Sequence, residues 1–174
     1  TIREDAKALI RSLHALGIHT VMLTGDQNRT AEVIAKELGI KEFYSGLLPQ
    51  DKVTKVTELR QSYGKIAMVG DGVNDAPALS QASMGIAMGV GGSDIALETA
   101  DMVLMNDNLS HITTAVKLSK RLKRIIYQNL IFAASIIFLL LLSNFIEVIN
   151  LPLGVVGHEG STILVILNGL RLLR

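Results

Sequence analysis

The sequence predicts an α/β domain built on a parallel sheet, followed by a pair of membrane-spanning helices. Three observations carry that expectation. Helix-patterned and strand-like segments alternate through residues 3–105, as they do where helices cover a parallel sheet. From Ile125 onward the chain turns apolar, and residues 131–142 hold no charge. Within the first region, the run Gly70-Asp71-Gly72-Val73-Asn74-Asp75-Ala76-Pro77 sets two carboxylates and an amide on a Gly-flexed turn after a strand-like stretch.

Each element has its own signal. Residues 3–16 carry Ala6, Leu9, Ile10, Leu13 and Leu16 at helical spacing, with Gly17 as a stop. Residues 19–23 form a short β-rich run ending in Thr24-Gly25-Asp26, and residues 30–38 read as a helix closed by Gly39. A short strand is expected at 43–45. A third helix is expected at 50–62, with Val53, Val56 and Leu59 on one side. Residues 65–69 are expected to be the central strand, 76–82 a short helix opened by Pro77, and 84–87 a strand. A helix at 93–99 and a strand at 101–105 complete the pattern. Residues 1–124 are therefore expected to form the soluble part with its connecting helix, and 125–174 the membrane part.

In open parallel sheets, ligands bind beyond the carboxyl ends of the strands. Thr24 to Asp26 and Gly70 to Asp75 both fall there, so a phosphate site is expected at those loops. Phosphoryl transfer is mostly positioning and charge neutralisation. Thr24 can donate to a phosphoryl oxygen, and Lys52 can supply a fixed positive charge. Asp71 is a natural ligand for Mg²⁺, which takes oxygen donors beside phosphate, while Asn74 and Asp75 orient the group or its ion. No Walker-type Gly-Lys-Ser/Thr loop is present. The stretch Gly89-Val90-Gly91-Gly92-Ser93 reads as a flexible connection before an anion cradle. His14, His19 and His111 read as ordinary surface residues. No aspartate on a first strand is available as a nucleophile, nor is there a separate nucleotide-binding segment.

The net charge of +1 speaks against a general polyanion or nucleic-acid binder. With no cysteine, a metal site must use His, carboxylate or neutral oxygen. The chain opens at Thr1 in a helical pattern without Met, which leads to the expectation of a piece of a longer protein. Lys117, Lys120, Arg121, Lys123 and Arg124 abut the apolar region and read as a cytosolic anchor. Residues 129–149 and 153–173 are each long enough to cross a bilayer, which takes about 20 residues. Arg171 and Arg174 mark the second cytosolic end of this hairpin.

The second span contains Gly157-His158-Glu159-Gly160-Ser161-Thr162. A carboxylate inside the bilayer costs on the order of 2.5–3.5 kcal/mol, which makes it a functional candidate. Imidazole and carboxylate together suit Zn²⁺ and its divalent neighbours. Adjacent helical residues point about 100° apart, so His158 and Glu159 need help to converge on one ion. Thr162 can share a face with either, and Ser161 is a weaker candidate. Gly154, Gly157 and Gly160 recur every third residue, which permits close packing or local unwinding. Asn144 and Glu147 are weaker candidates in the first span.

Thr24-Gly25-Asp26, Pro49-Gln50-Asp51-Lys52 and Gly70 to Pro77 together resemble the phosphorylation domain of P-type ATPases, which has the haloacid-dehalogenase-like (Rossmann-like) fold. The resemblance runs in order over essentially the whole chain. It implies that Thr24 (with Gly25 and Asp26) and Lys52 contact an aspartyl-phosphate, that Asp71 binds Mg²⁺, and that Asn74 and Asp75 complete the site. The family's Asp-Lys-Thr-Gly-Thr and Thr-Gly-Glu motifs, its nucleotide domain and its earlier membrane helices are missing, so the fold is incomplete and this piece alone is expected not to turn over ATP. The His-Glu-Gly-Ser-Thr run followed by Asn168-Gly169-Leu170-Arg171 resembles the last membrane helix of a heavy-metal subgroup handling cobalt, zinc or iron.

The leading expectation is the C-terminal part of an ATP-driven exporter of Zn²⁺, Co²⁺ or Fe²⁺ in the cell membrane. It would be embedded in lipid, with its soluble domain in the cytosol and the remainder of the same pump as its partner. A membrane-anchored phosphatase of the same fold would need its own nucleophilic aspartate and have no use for His158 and Glu159. A non-catalytic truncated membrane protein is the third reading. The sequence upstream of Thr1 separates the three.

Overall fold

The computed structural model describes residues 2–71, 74–89, 98–146 and 151–173. The chain divides into two compact units, Thr1–Thr113 and Thr114–Arg174. In the first, α1 (Ala6–Ala15), β1 (Val21–Leu23), α2 (Asn28–Leu38), β2 (Glu42–Tyr44), α3 (Pro49–Tyr63), β3 (Ala67–Gly70), α4 (Ala76–Gln81), β4 (Met84–Met88) and β5 (Met102–Leu104) follow in order. Most of the expected helix at 93–99 and most of the Gly89–Ser93 stretch lie outside the described residues, as do Gly72 and Val73 of the acidic turn.

Local chemistry fixes the element ends that matter to the site. Gly39 closes α2 in the left-handed conformation, φ 77°, which costs a residue without a Cβ nothing. Pro49 opens α3, where its missing N–H is no loss. The Asp51 carboxylate reaches back to accept the Leu48 N–H at 3.0 Å, satisfying one of the donors that a helix start leaves free. At the entry to this unit, Asp5 accepts the Leu109 N–H at 3.0 Å, and Arg3 donates to the Asp107 carbonyl.

All strand pairs are parallel, as alternating elements require, but they form two sheets where one was expected. β1 pairs only with β2, with Val21 opposite Glu42 and Leu23 opposite Tyr44. β3 pairs with β4 and β4 with β5. The run at 65–69, expected as the central strand, is therefore an edge. Its Val69 is 42% exposed, and among the described residues no strand pairs with the free sides of β1 and β3. A parallel strand becomes central only when a second neighbour covers its other edge, and apolar periodicity says nothing about that neighbour.

The core beneath the sheets is made of small and branched side chains. Ala31 and Ala35 of α2, Val56 and Leu59 of α3, Ala78 and Leu79 of α4, and Ile86 and Ala87 of β4 are all buried. Gly89 shows why a glycine follows β4. A Cβ there would sit 2.8 Å from the Leu104 carbonyl oxygen, the atom that accepts the Gly89 N–H at 3.0 Å. It serves strand-to-strand contact.

The helix α5 (Ser110–Phe145) runs unbroken for 36 residues out of the first unit into the second. It is long and apolar enough to cross a membrane, and its most apolar window is only 6% buried. Ile131, Phe138 and Leu141 are each more than 60% exposed, a surface suited to lipid. Then come α6 (Leu151–Gly169) and a 3₁₀ turn (Leu170–Leu173). Glu147 lies outside the described residues.

Candidate phosphate and metal sites

The loop after β1 is held by its own residues. The Thr24 hydroxyl donates to Asp26 Oδ2 at 2.9 Å and accepts the Asp26 N–H at 3.1 Å. A second loop clamps it: the Gly46 N–H donates to the Asp26 carbonyl at 2.8 Å, and the Leu47 N–H to the Thr24 carbonyl at 3.1 Å. A Cβ on Gly25 would stand 3.3 Å from the Leu47 carbonyl oxygen, so Gly25 lets the two loops approach. Leu47 leads directly into α3, whose first turn carries Lys52.

Lys52 then reaches the third motif. Its Nζ lies 2.7 Å from Asp75 Oδ1, and both side chains are largely buried, 17% and 14% exposed. The other Asp75 oxygen lies against Gly70, where an added Cβ would meet Oδ2 at 2.8 Å and the Asp75 Cβ at 2.9 Å. A half-buried ion pair of this kind is costly to break on one side, because the survivor stays desolvated. Asp75 therefore fixes Lys52, and Gly70 makes room for Asp75.

Asp71 and Asn74 are exposed beside this pair at the carboxyl end of β3. Their donors, a carboxylate and a carbonyl oxygen, are the hard oxygens that Mg²⁺ accepts, and Mg²⁺ needs only one or two carboxylates when phosphate and water supply the rest. The residues fit the ion. Thr24, Lys52 and Asp75 were legible as candidates for the site. Gly46 and Leu47, which tie the first loop to α3 through backbone groups, were not, because backbone bonding leaves no residue-type signal.

The membrane candidates are arranged differently. The α6 helix continues through His158 and Glu159, so the unwinding that its glycines permit does not occur. The roughly 100° divergence of the two side chains stands. Ser161 Oγ and Thr162 Oγ1 both donate to the His158 carbonyl, at 2.6 and 3.2 Å. Only Gly157 among the three spaced glycines faces a neighbour: a Cβ there would lie 3.5 Å from Leu140 of α5, an ordinary contact. Among the described residues no three His, Asp or Glu side chains gather around a common point.

One charged network lies at the other end of β1 and β2, around Glu42. Its Oε2 is 2.7 Å from His19 Nε2 and accepts the Tyr63 hydroxyl at 2.7 Å, while Oε1 accepts the Tyr44 hydroxyl at 3.0 Å. These bonds, His19 foremost, hold the Glu42 carboxyl below the usual carboxylate range. A cavity of about 290 Å³ lined by His14, Ile18, His19, Thr20 and Lys41 opens beside it. It adjoins the start of β1, whereas Thr24 follows the end.

Comparison with known proteins places this geometry. Residues 1–83 match the haloacid dehalogenase-like hydrolase family. The chain is 54% identical over 99% of its length to the zinc-transporting ATPase of Bacillus subtilis (strain 168), of which it covers 27%. It is 45% identical, again over 99% of its length, to a cadmium-transporting ATPase of Staphylococcus aureus, covering 24% of that protein. The crystal structure of a zinc-transporting PIB-type ATPase in its E2.Pi state superposes on the whole chain with a TM-score of 0.92 and 46% identity, and the chain covers 28% of it. The chain spans about a quarter of the length of these relatives. With its three loop motifs held in order on that fold, the chain has zinc- and cadmium-transporting P-type ATPases of the heavy-metal type as close homologues over nearly its whole length.

Proposed function

We propose that this chain supplies the phosphate-holding machinery and a membrane hairpin of an ATP-driven exporter of a divalent transition metal. The observation that carries the reading is the half-buried Lys52–Asp75 pair, which ties the first turn of α3 to the turn that carries Asp71. Lys52 would leave a fixed positive charge for an aspartyl-phosphate, and the Thr24 hydroxyl would exchange its local bond to Asp26 for a phosphoryl oxygen. Asp71, with Asn74 and Asp75 beside it, would hold Mg²⁺, which supplies charge neutralisation at the phosphate. The phosphorylated aspartate would come from a part of the pump beyond this chain. The free edges of β1 and β3 offer a place for a strand that carries it.

Residues 1–124 would form the cytosolic part with its connecting helix, and 125–174 a hairpin crossing the cell membrane twice. His158 and Glu159, with Thr162 and Ser161, would contribute to the transport path, with further ligands from the pump's other helices. Zinc and cadmium are the cargo named for the relatives above. Zinc is accordingly the first metal to test, and cobalt and iron rest on the His-Glu pattern alone. In the complete protein, Asp71→Asn should abolish Mg²⁺-dependent phosphoenzyme formation from ATP. Normal phosphorylation of that variant would remove Asp71 from this role.

A further inference from the structure

We propose that the basic end of the membrane hairpin binds the phosphate headgroup of an anionic phospholipid. This rests on the membrane placement proposed above and on nothing in the metal or phosphoenzyme chemistry. Arg121 of α5 donates to the backbone carbonyl of Arg171, which brings the two residues to one place from two helices. Arg171 is itself held, since its Nη1 donates to Asn168 Oδ1 at 3.0 Å. Asn168 in turn donates to Asn129 Oδ1 at 2.8 Å, and Asn129 to the Val165 carbonyl at 3.4 Å. Both arginines are exposed, and a guanidinium has five N–H donors, so each can bind a further acceptor.

No Asp or Glu lies near this cluster in the sequence of its own unit. Residues 108–146 and 160–173 contain no Asp or Glu. The unit's two carboxylates, Glu147 and Glu159, are remote in sequence: Arg171 lies 12 residues past Glu159, on the order of 18 Å along a helix. That exceeds the screening length of about 8 Å at physiological salt. Lys117, Arg121 and Arg124 share one helical stripe of α5, at spacings of four and three, so the basic face extends beyond the arginine pair. Two positioned guanidiniums present the forked donors that match phosphate oxygens.

What lies next to the cluster selects the source of the phosphate. Within three turns of Arg121 the same helix exposes Ile126 (54%), Leu130 (62%) and Ile131 (65%). An occupant that meets both surfaces carries a phosphate and acyl chains together. That description fits a phospholipid and not a free phosphate ion. Phosphatidylglycerol supplies the net negative charge, whereas phosphatidylcholine cancels its phosphate with a cation on the same headgroup.

The test is native mass spectrometry of the detergent-purified complete pump, titrated with phosphatidylglycerol, phosphatidylcholine or inorganic phosphate. Phosphatidylglycerol should bind in preference to phosphatidylcholine, and inorganic phosphate at equal concentration should not displace it. The Arg121→Gln/Arg171→Gln variant should lose on the order of 25-fold in phosphatidylglycerol affinity, about 5-fold for each arginine. Equal binding of the two lipids would overturn the proposal while leaving the membrane reading intact, as would displacement by phosphate or a correctly melting variant that binds like the wild type. Binding of neither lipid would sink the membrane placement itself. Should the double variant fail to fold, salt decides with the wild type: the preference for phosphatidylglycerol must fall as ionic strength rises, and a salt-independent preference overturns the proposal.

Discussion

The two candidate sites of this chain are built on opposite plans. At the phosphate loops, residues distant in sequence are drawn together by the chain itself. Gly46 and Leu47 hold the Thr24 loop, and Lys52 crosses to Asp75. In α6, His158 and Glu159 stand side by side on one helix and diverge, and the hydroxyls of Ser161 and Thr162 bond to the His158 carbonyl of the same turn. A sheet gathers its loops at one end whatever else the protein contains, so half of a catalytic centre can be in place without the rest. A site within a helical bundle exists only when several helices are present. The loops of the first unit therefore show their geometry within this chain, and the α6 residues show only their candidacy.

The sharpest way to break this contrast is to remove the cross-link on the preorganised side. Lys52→Ala in the complete pump leaves the Asp75 carboxylate buried without its cation and takes a fixed charge from the phosphate. Phosphoenzyme formation should fall by about 10²- to 10³-fold, the usual loss for a transition-state charge donor. Rapid-quench phosphorylation with labelled ATP measures it, and a loss under a few-fold would mean that the pair is structural only. On the other side, His158→Ala should raise the metal concentration needed for half-maximal ATPase stimulation by at least about 10-fold. The soluble unit should stay folded and competent for phosphorylation from inorganic phosphate. Stimulation by zinc, cadmium and cobalt that is unchanged would place the transport site elsewhere.

The same contrast decides what could be read from the residues. Every described element of the first unit was anticipated within a few positions, because Leu9, Leu13 and Leu16 in one helix and Val53, Val56 and Leu59 in another recur at helical spacing and glycines mark the ends. Thr24, Lys52 and Asp75 were legible as candidates because each sits just beyond a strand or in a helix's first turn. Two things were not. The 65–69 run looks central from its apolar character, yet β3 is an edge, since nothing within a strand encodes who pairs with its far side. The Glu42 network joins residues 19, 42, 44 and 63 from separate parts of the chain, and each one alone looks like an ordinary surface residue.

Gly70→Ala probes the preorganised side more gently. The new Cβ would overlap Asp75 Oδ2 and Cβ, at 2.8 and 2.9 Å, so the carboxylate must move and Lys52 with it. Overpacking of this kind costs about 1–3 kcal/mol. Thermal unfolding of the purified pump should report that loss, and phosphoenzyme formation should fall further than the destabilisation alone explains. A variant that melts lower but phosphorylates normally would show that Asp75 can shift without disturbing the site. Gly154→Ala, in α6, meets nothing within 4 Å and should leave both readouts unchanged.

The smallest effect concerns the network at the far end of β1 and β2, which takes no part in either site. Glu42 has its carboxyl held down in the folded state, by His19 first and then by Tyr63 and Tyr44. A carboxyl with a folded pKa below its unfolded one stabilises the fold fully above the unfolded value. It loses that contribution as pH falls through the folded value. Acidification from about pH 6 to about pH 3, the range that spans ordinary carboxylate titration, should therefore weaken the soluble unit partly through Glu42. Glu42→Gln removes the titrating group, so the melting temperature of this variant should be lower at neutral pH and should fall less on acidification. Equal slopes for the two proteins would show that His19, Tyr44 and Tyr63 exchange Glu42 for water at no net cost.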